Sequence, residues 1–140
     1  MKGFDGIPAP SAMSFELYKI PEGKIGIAHS DDKFSIGYLE LNPGKELAKH
    51  NRPVLEQLMQ IKGACKIILY HEEEIKTITL NEGGNLDIKP GQYHVHSNKD
   101  NTEISITLWK FNGDIRNIID EIRKNAVRFK NIPKKRISYW

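Results

Sequence analysis

The reading turns on residues 44–63, Gly44-Lys45-Glu46-Leu47-Ala48-Lys49-His50-Asn51-Arg52-Pro53-Val54-Leu55-Glu56-Gln57-Leu58-Met59-Gln60-Ile61-Lys62-Gly63. Turn-forming glycines close both ends, and between them His50, Arg52 and Glu56 occupy positions of one parity. Residues two apart on an extended strand project to the same side. Pro53 supports an extended Arg52, because the proline ring crowds a helical conformation of the residue before it. Glu56 keeps the parity, provided the bend at Pro53 does not reverse it. Further on, His94 and His96 stand two apart in Tyr93-His94-Val95-His96 and again share a face. One wall of a β body would then carry His50, Arg52 and Glu56, and a facing wall His94 and His96. Imidazoles and a carboxylate that converge in one interior suit a divalent transition metal. His29, at a strand end, and His71, in the polar turn Tyr70-His71-Glu72-Glu73-Glu74, read as surface residues.

Around these stretches the chain is densely punctuated. Turn clusters fall at Pro21-Glu22-Gly23, Ser30-Asp31-Asp32, Asn42-Pro43-Gly44, Asn81 to Asn85, Lys89-Pro90-Gly91 and Ser97 to Asn101. The runs between them, rich in β-branched and aromatic residues, predict strands at Phe15–Ile20, Lys24–His29, Phe34–Leu41, Leu55–Ile61, Cys65–Tyr70, Ile75–Leu80, Tyr93–His96 and Thr102–Phe111. Short strands at this spacing are the mark of an all-β sandwich or barrel. In Ile104-Ser105-Ile106-Thr107-Leu108 the apolar side chains take one face and the hydroxyls the other. Tyr93, of opposite parity to His94, should point outward, and Cys65 reads as a small buried apolar residue. Only the end changes period. After Asp114, a candidate N-cap, Ile115, Ile118, Ile119, Ile122, Ala126 and Phe129 follow helical spacing. A helix over about 114–130 is expected, stopped by Pro133, as a lid on the β body or a subunit contact. The aromatic end Tyr139-Trp140 is expected to dock.

Length and composition bound the rest. The 140 residues, 39% hydrophobic and 28% charged, suit one domain spanning 1–140 with a real core. No apolar run reaches the ~18 residues of a membrane span, and the N-terminus does not read as a secretory signal. A single cysteine excludes an internal disulfide and a multi-cysteine zinc site, and a reducing cytoplasm fits best. The net charge is +3, but residues 116–140 hold eight Lys or Arg against Asp120 and Glu121, which makes that segment +6. These bases are spread along the segment, so it reads as a solvated helix face with a basic end, and nucleic-acid binding is not expected.

The two histidine stretches resemble the conserved motifs of the cupins. In that pattern a glycine precedes a His-x-His pair by five residues, a glutamate follows after three or four, and a second glycine six later; Gly44, His50, Glu56 and Gly63 keep this spacing over motif 1, residues 44–63. Motif 2, residues 83–98, shows Gly83, then Pro90-Gly91, His94 and Asn98, with Lys89 where proline is usual. The resemblance implies a double-stranded β-helix, the cupin jelly-roll barrel, with the C-terminal α-helix attached. It also implies two partners usual for a small cupin: a small-molecule ligand and a second copy of the chain, as a homodimer.

The chain departs from the pattern at Arg52, which stands where metal-binding cupins supply a second histidine ligand. A permanently protonated guanidinium cannot ligate, and a dication about 5 Å from it is repelled by roughly 7 kcal/mol at an effective dielectric of about 20. Three arrangements follow. Arg52 turns aside and His96 completes a metal site of His50, Glu56 and His94. Alternatively, Arg52 pairs with Glu56, and the barrel is a metal-free cationic cup for a carboxylate or phosphate. In the third, metal and Arg52 coexist, and Arg52 holds an anionic substrate. The expectation is a metal-binding cupin that acts on or binds a small anionic molecule, with Fe, Mn, Ni, Zn or Cu on His50, Glu56, His94 and His96. The rival is a metal-free binding or sensor module.

Overall fold

The computed structural model describes Phe4 and residues 13–128. The strands are β1 (Glu16–Ile20), β2 (Gly23–Ser30), β3 (Ser35–Leu41), β4 (Leu55–Lys62), β5 (Cys65–His71), β6 (Glu74–Leu80), β7 (Asn85–Ile88), β8 (His94–Ser97), β9 (Ser105–Asn112) and β10 (Val127–Arg128); the helix is α1 (Arg116–Asn125). Every strand expected from the sequence is present, shifted by a few residues at most. β7 is additional: four residues hidden behind the turn cluster at Asn81, held against β4 with Glu56 opposite Ile88.

The strands form two antiparallel sheets. The larger runs β10-β1-β2-β3-β9-β4-β7 and the smaller β6-β5-β8. The segment before His50 adds a fourth row to the small sheet. Leu47 N–H donates to His96 O at 3.0 Å, and His50 and His94 exchange backbone bonds of 3.0 and 2.8 Å. His50 therefore lies beside His94 on one wall, not opposite it as the parity argument expected. The chain crosses to the large sheet only after Pro53, and Glu56 on β4 is the group that comes from the facing wall.

A core of Ile27, Leu39, Leu41, Leu58, Cys65, Ile67, Trp109 and Phe111 fills the space between the sheets. Tyr38, Ile36, Ile106 and Leu108 build a second cluster with Met13 and Phe15. β3 and most of β9 are thus buried throughout. The two-faced pattern of residues 104–108 resolves with the hydroxyls inward. Thr107 Oγ1 donates to Gln60 Oε1 at 2.6 Å, and Gln60 Nε2 donates to Ser105 Oγ at 3.0 Å, so these buried groups satisfy one another.

The helix is shorter than expected. Asp114 does accept from the Arg116 backbone N–H, at 3.1 Å. Ala126, however, turns extended (φ −82°, ψ 154°) and directs Val127 and Arg128 into pairing with Lys19 and Tyr18 of β1. A free strand edge captures the chain before the helical period runs out. Phe129, Pro133 and the Tyr139-Trp140 end lie outside the described residues. Ile115 and Ile119 are fully buried, with Ile118 and Ile122 packed beside them, so α1 caps one end of the core. Arg123 ties it to Glu16 of β1 at 3.3 Å. No helix among the described residues is long and apolar enough to cross a membrane.

Two motif residues prove to be structural. Gly63 sits at φ 66°, and a Cβ there would run into the carbonyl of Ile104. Asn98, 1% exposed, donates to the carbonyls of Leu41, Asn42 and Glu103 at 3.1, 3.2 and 2.8 Å. It pins the strand after the two histidines to the end of β3. We predict that Asn98→Ala, which leaves these carbonyls short of a donor, lowers stability by about 1–3 kcal/mol. An unchanged urea midpoint would contradict this.

Candidate metal centre

β8 is the element that brings the site together. All four of its residues are buried, because core lies on one face and the pairing segment 44–50 covers its edge. His94 and His96 point into the barrel, 0% and 4% exposed, where they meet Glu56, 2% exposed. Glu56 Oε1 lies 3.5 Å from His94 Nε2, and its Oε2 3.3 Å from His96 Nε2. The His50 ring stands 4.5 Å from that of His94 and 5.6 Å from that of His96, centroid to centroid. Ligand atoms of all three imidazoles fall within 4.8 Å of one another.

Backbone carbonyls fix two of the rings. His50 Nδ1 bonds to Ala48 O and His94 Nδ1 to Gln92 O, each at 2.8 Å. A carbonyl only accepts, so each Nδ1 carries the hydrogen, and in the neutral ring each Nε2 presents its lone pair. Metal-ligating histidines are commonly oriented this way. Buried without a hydrogen-bond partner among the described residues are His94 Nε2, Glu56 Oε1 and His96 Nδ1. A lone pair facing a carboxylate at this range needs a proton or a cation between them. The donor set therefore fits a divalent transition metal: three imidazoles and one carboxylate, with two rings already aimed.

The charges in the metal-free site follow from burial and neighbours. Burial opposes ionisation of Glu56, yet the adjacent His94 and His96 imidazoles hold the carboxyl well below its usual range. Burial likewise works against a charged His96. Interaction with Cys65 and Glu56 outweighs it and pushes His96 up to about 9. The thiol acts on the ring's charge but stands outside hydrogen-bonding geometry for Nδ1. His50 moves the other way, down to about 4, mainly through burial, which the Ala48 bond opposes and repulsion from His96, Arg52 and His94 reinforces.

Arg52 shares this space without joining the cluster. Glu56 is engaged by the histidines, so the Arg52–Glu56 pair considered from the sequence does not form. Its Nη1 donates to Asn51 O at 3.4 Å, and Glu56 and Glu121 act on it through space. The inner cavity is about 60 Å³, walled by Arg52, His50, Glu56, His96 and Thr107 on its polar side and by residues such as Leu39, Trp109 and Ile122 on its apolar side. Gln60 is not singled out by the sequence, and Thr107 and the helix isoleucines stand there as strand and helix faces rather than as walls of the site. Gln60 shares the parity of Glu56 and Thr107 lies on the hydroxyl face, so strand alternation held the signal. As expected, Tyr93 is half exposed, Cys65 is buried, His71 is exposed, and His29 pairs with Asp31 at 2.7 Å on the surface.

Neither a protein-family model nor a curated protein sequence matches the chain. Solved structures do. Tomato (Solanum lycopersicum) vicilin aligns at a TM-score of 0.64 with 17% identity, over 76% of this chain and 34% of its own. The Bacillus subtilis oxalate decarboxylase, a protein with Mn(II) centres, gives 0.64 at 19% identity, over 71% of this chain and 28% of its own. Drosophila melanogaster CENP-C, bound to CAL1, gives 0.63 at 16% identity, over 74% of this chain and 86% of its own. The chain thus spans about a third of the vicilin and less of the decarboxylase. Vicilins and oxalate decarboxylases are cupin-fold proteins, and the jelly roll described above is the cupin fold.

The opposed shifts predict a pH optimum of stability for chelator-treated protein. His96, raised above its ordinary 6.5, stabilises the fold below pH 6.5, and that contribution is lost as pH rises toward 9. His50, lowered, costs stability as pH falls from 6.5 toward 4, and Glu56 adds a loss below its ordinary 4.5. The urea midpoint should peak near pH 6.5 and decline on the alkaline side; a flat profile between pH 6.5 and 9 would refute the Glu56–His96 pairing.

Proposed function

We propose that this cupin-fold chain binds a divalent transition metal through His50, His94, His96 and Glu56, and holds the anionic end of a small molecule with Arg52. The observation that carries the reading is the pair of inward Nε2 atoms on His50 and His94, each aimed by a carbonyl bond on its Nδ1. A metal centre in a cupin-fold relative, the oxalate decarboxylase with Mn(II), supports it. Fe, Mn, Ni, Zn and Cu all suit such a donor set.

Each group has a separate task. His50 is neutral near pH 7 and needs no deprotonation to ligate. Glu56 supplies the negative charge that offsets both the ion and Arg52. His96 must give up its proton first, so metal uptake is coupled to proton release. When bound, the ion supplies Lewis acidity toward an oxygen of the ligand. Arg52, fixed in charge, offers a fork of N–H donors to a carboxylate or phosphate in the same space. Leu39, Trp109 and Ile122 form the apolar wall of the same cavity.

A second reading has an observation of its own. The Glu56–His96 pair balances its own charge with no metal, so the barrel can stand as a binding module without chemistry. Metal titration separates the two. On the first reading the protein takes up about one ion per chain and releases about one proton per ion near neutral pH. His50→Ala and His94→Ala should each lower metal affinity at least tenfold, and more than the loss of an outer-shell partner would. Stoichiometric retention in both variants would place the metal elsewhere, and no uptake by the unaltered protein would leave the binding-module reading.

A further inference from the structure

The outer wall of the inner cavity has a second side. Between α1 and the β1–β2 turn runs an open groove of about 750 Å³, lined by Ile20, Ile25, Ile118, Ile122, Ala126 and Val127 and flanked by Lys19 and Glu121. Four residues, Ile25, Arg52, Ile118 and Ile122, wall both the groove and the inner cavity. Arg52 is therefore the polar member of the partition between a histidine-lined chamber and a long apolar trough.

Its chemistry at that position is incomplete. Arg52 is half-buried, and its one hydrogen bond to a described residue, Nη1 to Asn51 O, is long at 3.4 Å. Among the described residues no carboxylate forms an ion pair with it: Glu56 is taken by His94 and His96, and Glu121 acts only through space. A guanidinium has five N–H donors in a planar fork. Arg52 lines a groove whose walls are mostly aliphatic, with Lys19, Glu121 and Asn125 as its other polar residues. At the rim the charges of Lys19 and Glu121 oppose one another, so Arg52 sets the charge preference at the inner end.

From this we infer that the ligand is an amphipathic carboxylate, whose head pairs with Arg52 and whose aliphatic body lies in the groove under α1. The inference rests on Arg52 as the anion-binding residue and adds the class of molecule. Size supports it. The inner cavity, at about 60 Å³, has room for an ion and a few water-sized groups but not for an organic body. Any substantial ligand held by Arg52 must extend outward, and outward is apolar. The carboxylate head then sits where the metal-binding imidazoles line the far side of the partition.

Calorimetric titration with sodium octanoate, sodium butyrate and neutral octanamide tests this on full-length protein, both chelator-treated and metal-loaded. Octanoate should bind about tenfold or more tightly than butyrate, through the added buried methylenes, and about tenfold or more tightly than octanamide, through the charged pair. Arg52→Gln should remove the octanoate–octanamide difference. Val127→Asp, at a site 66% exposed and so tolerant of change, should weaken octanoate and leave butyrate unaffected. Equal affinity for octanoate and butyrate, or octanoate binding indifferent to Arg52→Gln, would overturn the inference. Metal content read in parallel keeps the two proposals apart. Octanoate binding to a protein that takes up no metal would sink the metal centre alone, and metal uptake without octanoate selectivity would sink only the ligand class.

Discussion

A carboxylate sealed between two imidazoles is the constraint around which the rest is arranged. Glu56 comes from the large sheet, His94 and His96 from the small one, so the contacts at 3.5 and 3.3 Å span the barrel. A buried charge without a partner is costly, and removing one member of such a group is strongly destabilising. The facing sheets are therefore held in register by electrostatics as well as by packing. The neighbouring devices serve the same end. Asn98 pins the chain just beyond His96, Gly63 lets β4 turn closely under Ile104, and the backbone pair of His50 and His94 closes the free edge of β8.

Much of this was legible in the residues themselves. Strand alternation placed Glu56, His94 and His96 inward, and the glycine spacing located the turns. What alternation cannot convey is which sheet a segment joins. His50 and Glu56 are close in sequence and of equal parity, yet Pro53 separates a segment that pairs with β8 from one that pairs with β9 and β7. The helix was read too long for a related reason. Ala126 continues the helical period, but the open edge of β1 offers Val127 and Arg128 backbone partners, and a long-range contact overrides local periodicity. The side on which Thr107 and Ser105 lie was also hidden, because β9 is buried on both faces and hydroxyls satisfied by Gln60 are stable in a core.

Arg52 is the point at which the chain departs from the motif. Its position would carry a ligand in the metal-binding pattern, and on the proposed reading the fixed cation there takes away one donor and adds a receptor for an anion. His96, two residues beyond His94 on the same face, brings a third imidazole beside Glu56. The solved structures that share this fold differ widely, from a vicilin to an oxalate decarboxylase with Mn(II) centres to CENP-C bound to CAL1. The fold is a frame, and the side chains at the barrel's mouth determine its use.

The short strand after the helix has a mechanical consequence. α1 enters from β9 and leaves into β10, which is hydrogen-bonded to β1, and Arg123 clasps Glu16 along the way. The helix is thus strapped down at both ends to the same sheet. It cannot swing away from the core without unzipping Val127 and Arg128 from β1 and parting Arg123 from Glu16. Ile118 and Ile122, which wall both the inner cavity and the outer groove, are therefore held where they stand from either end of the helix.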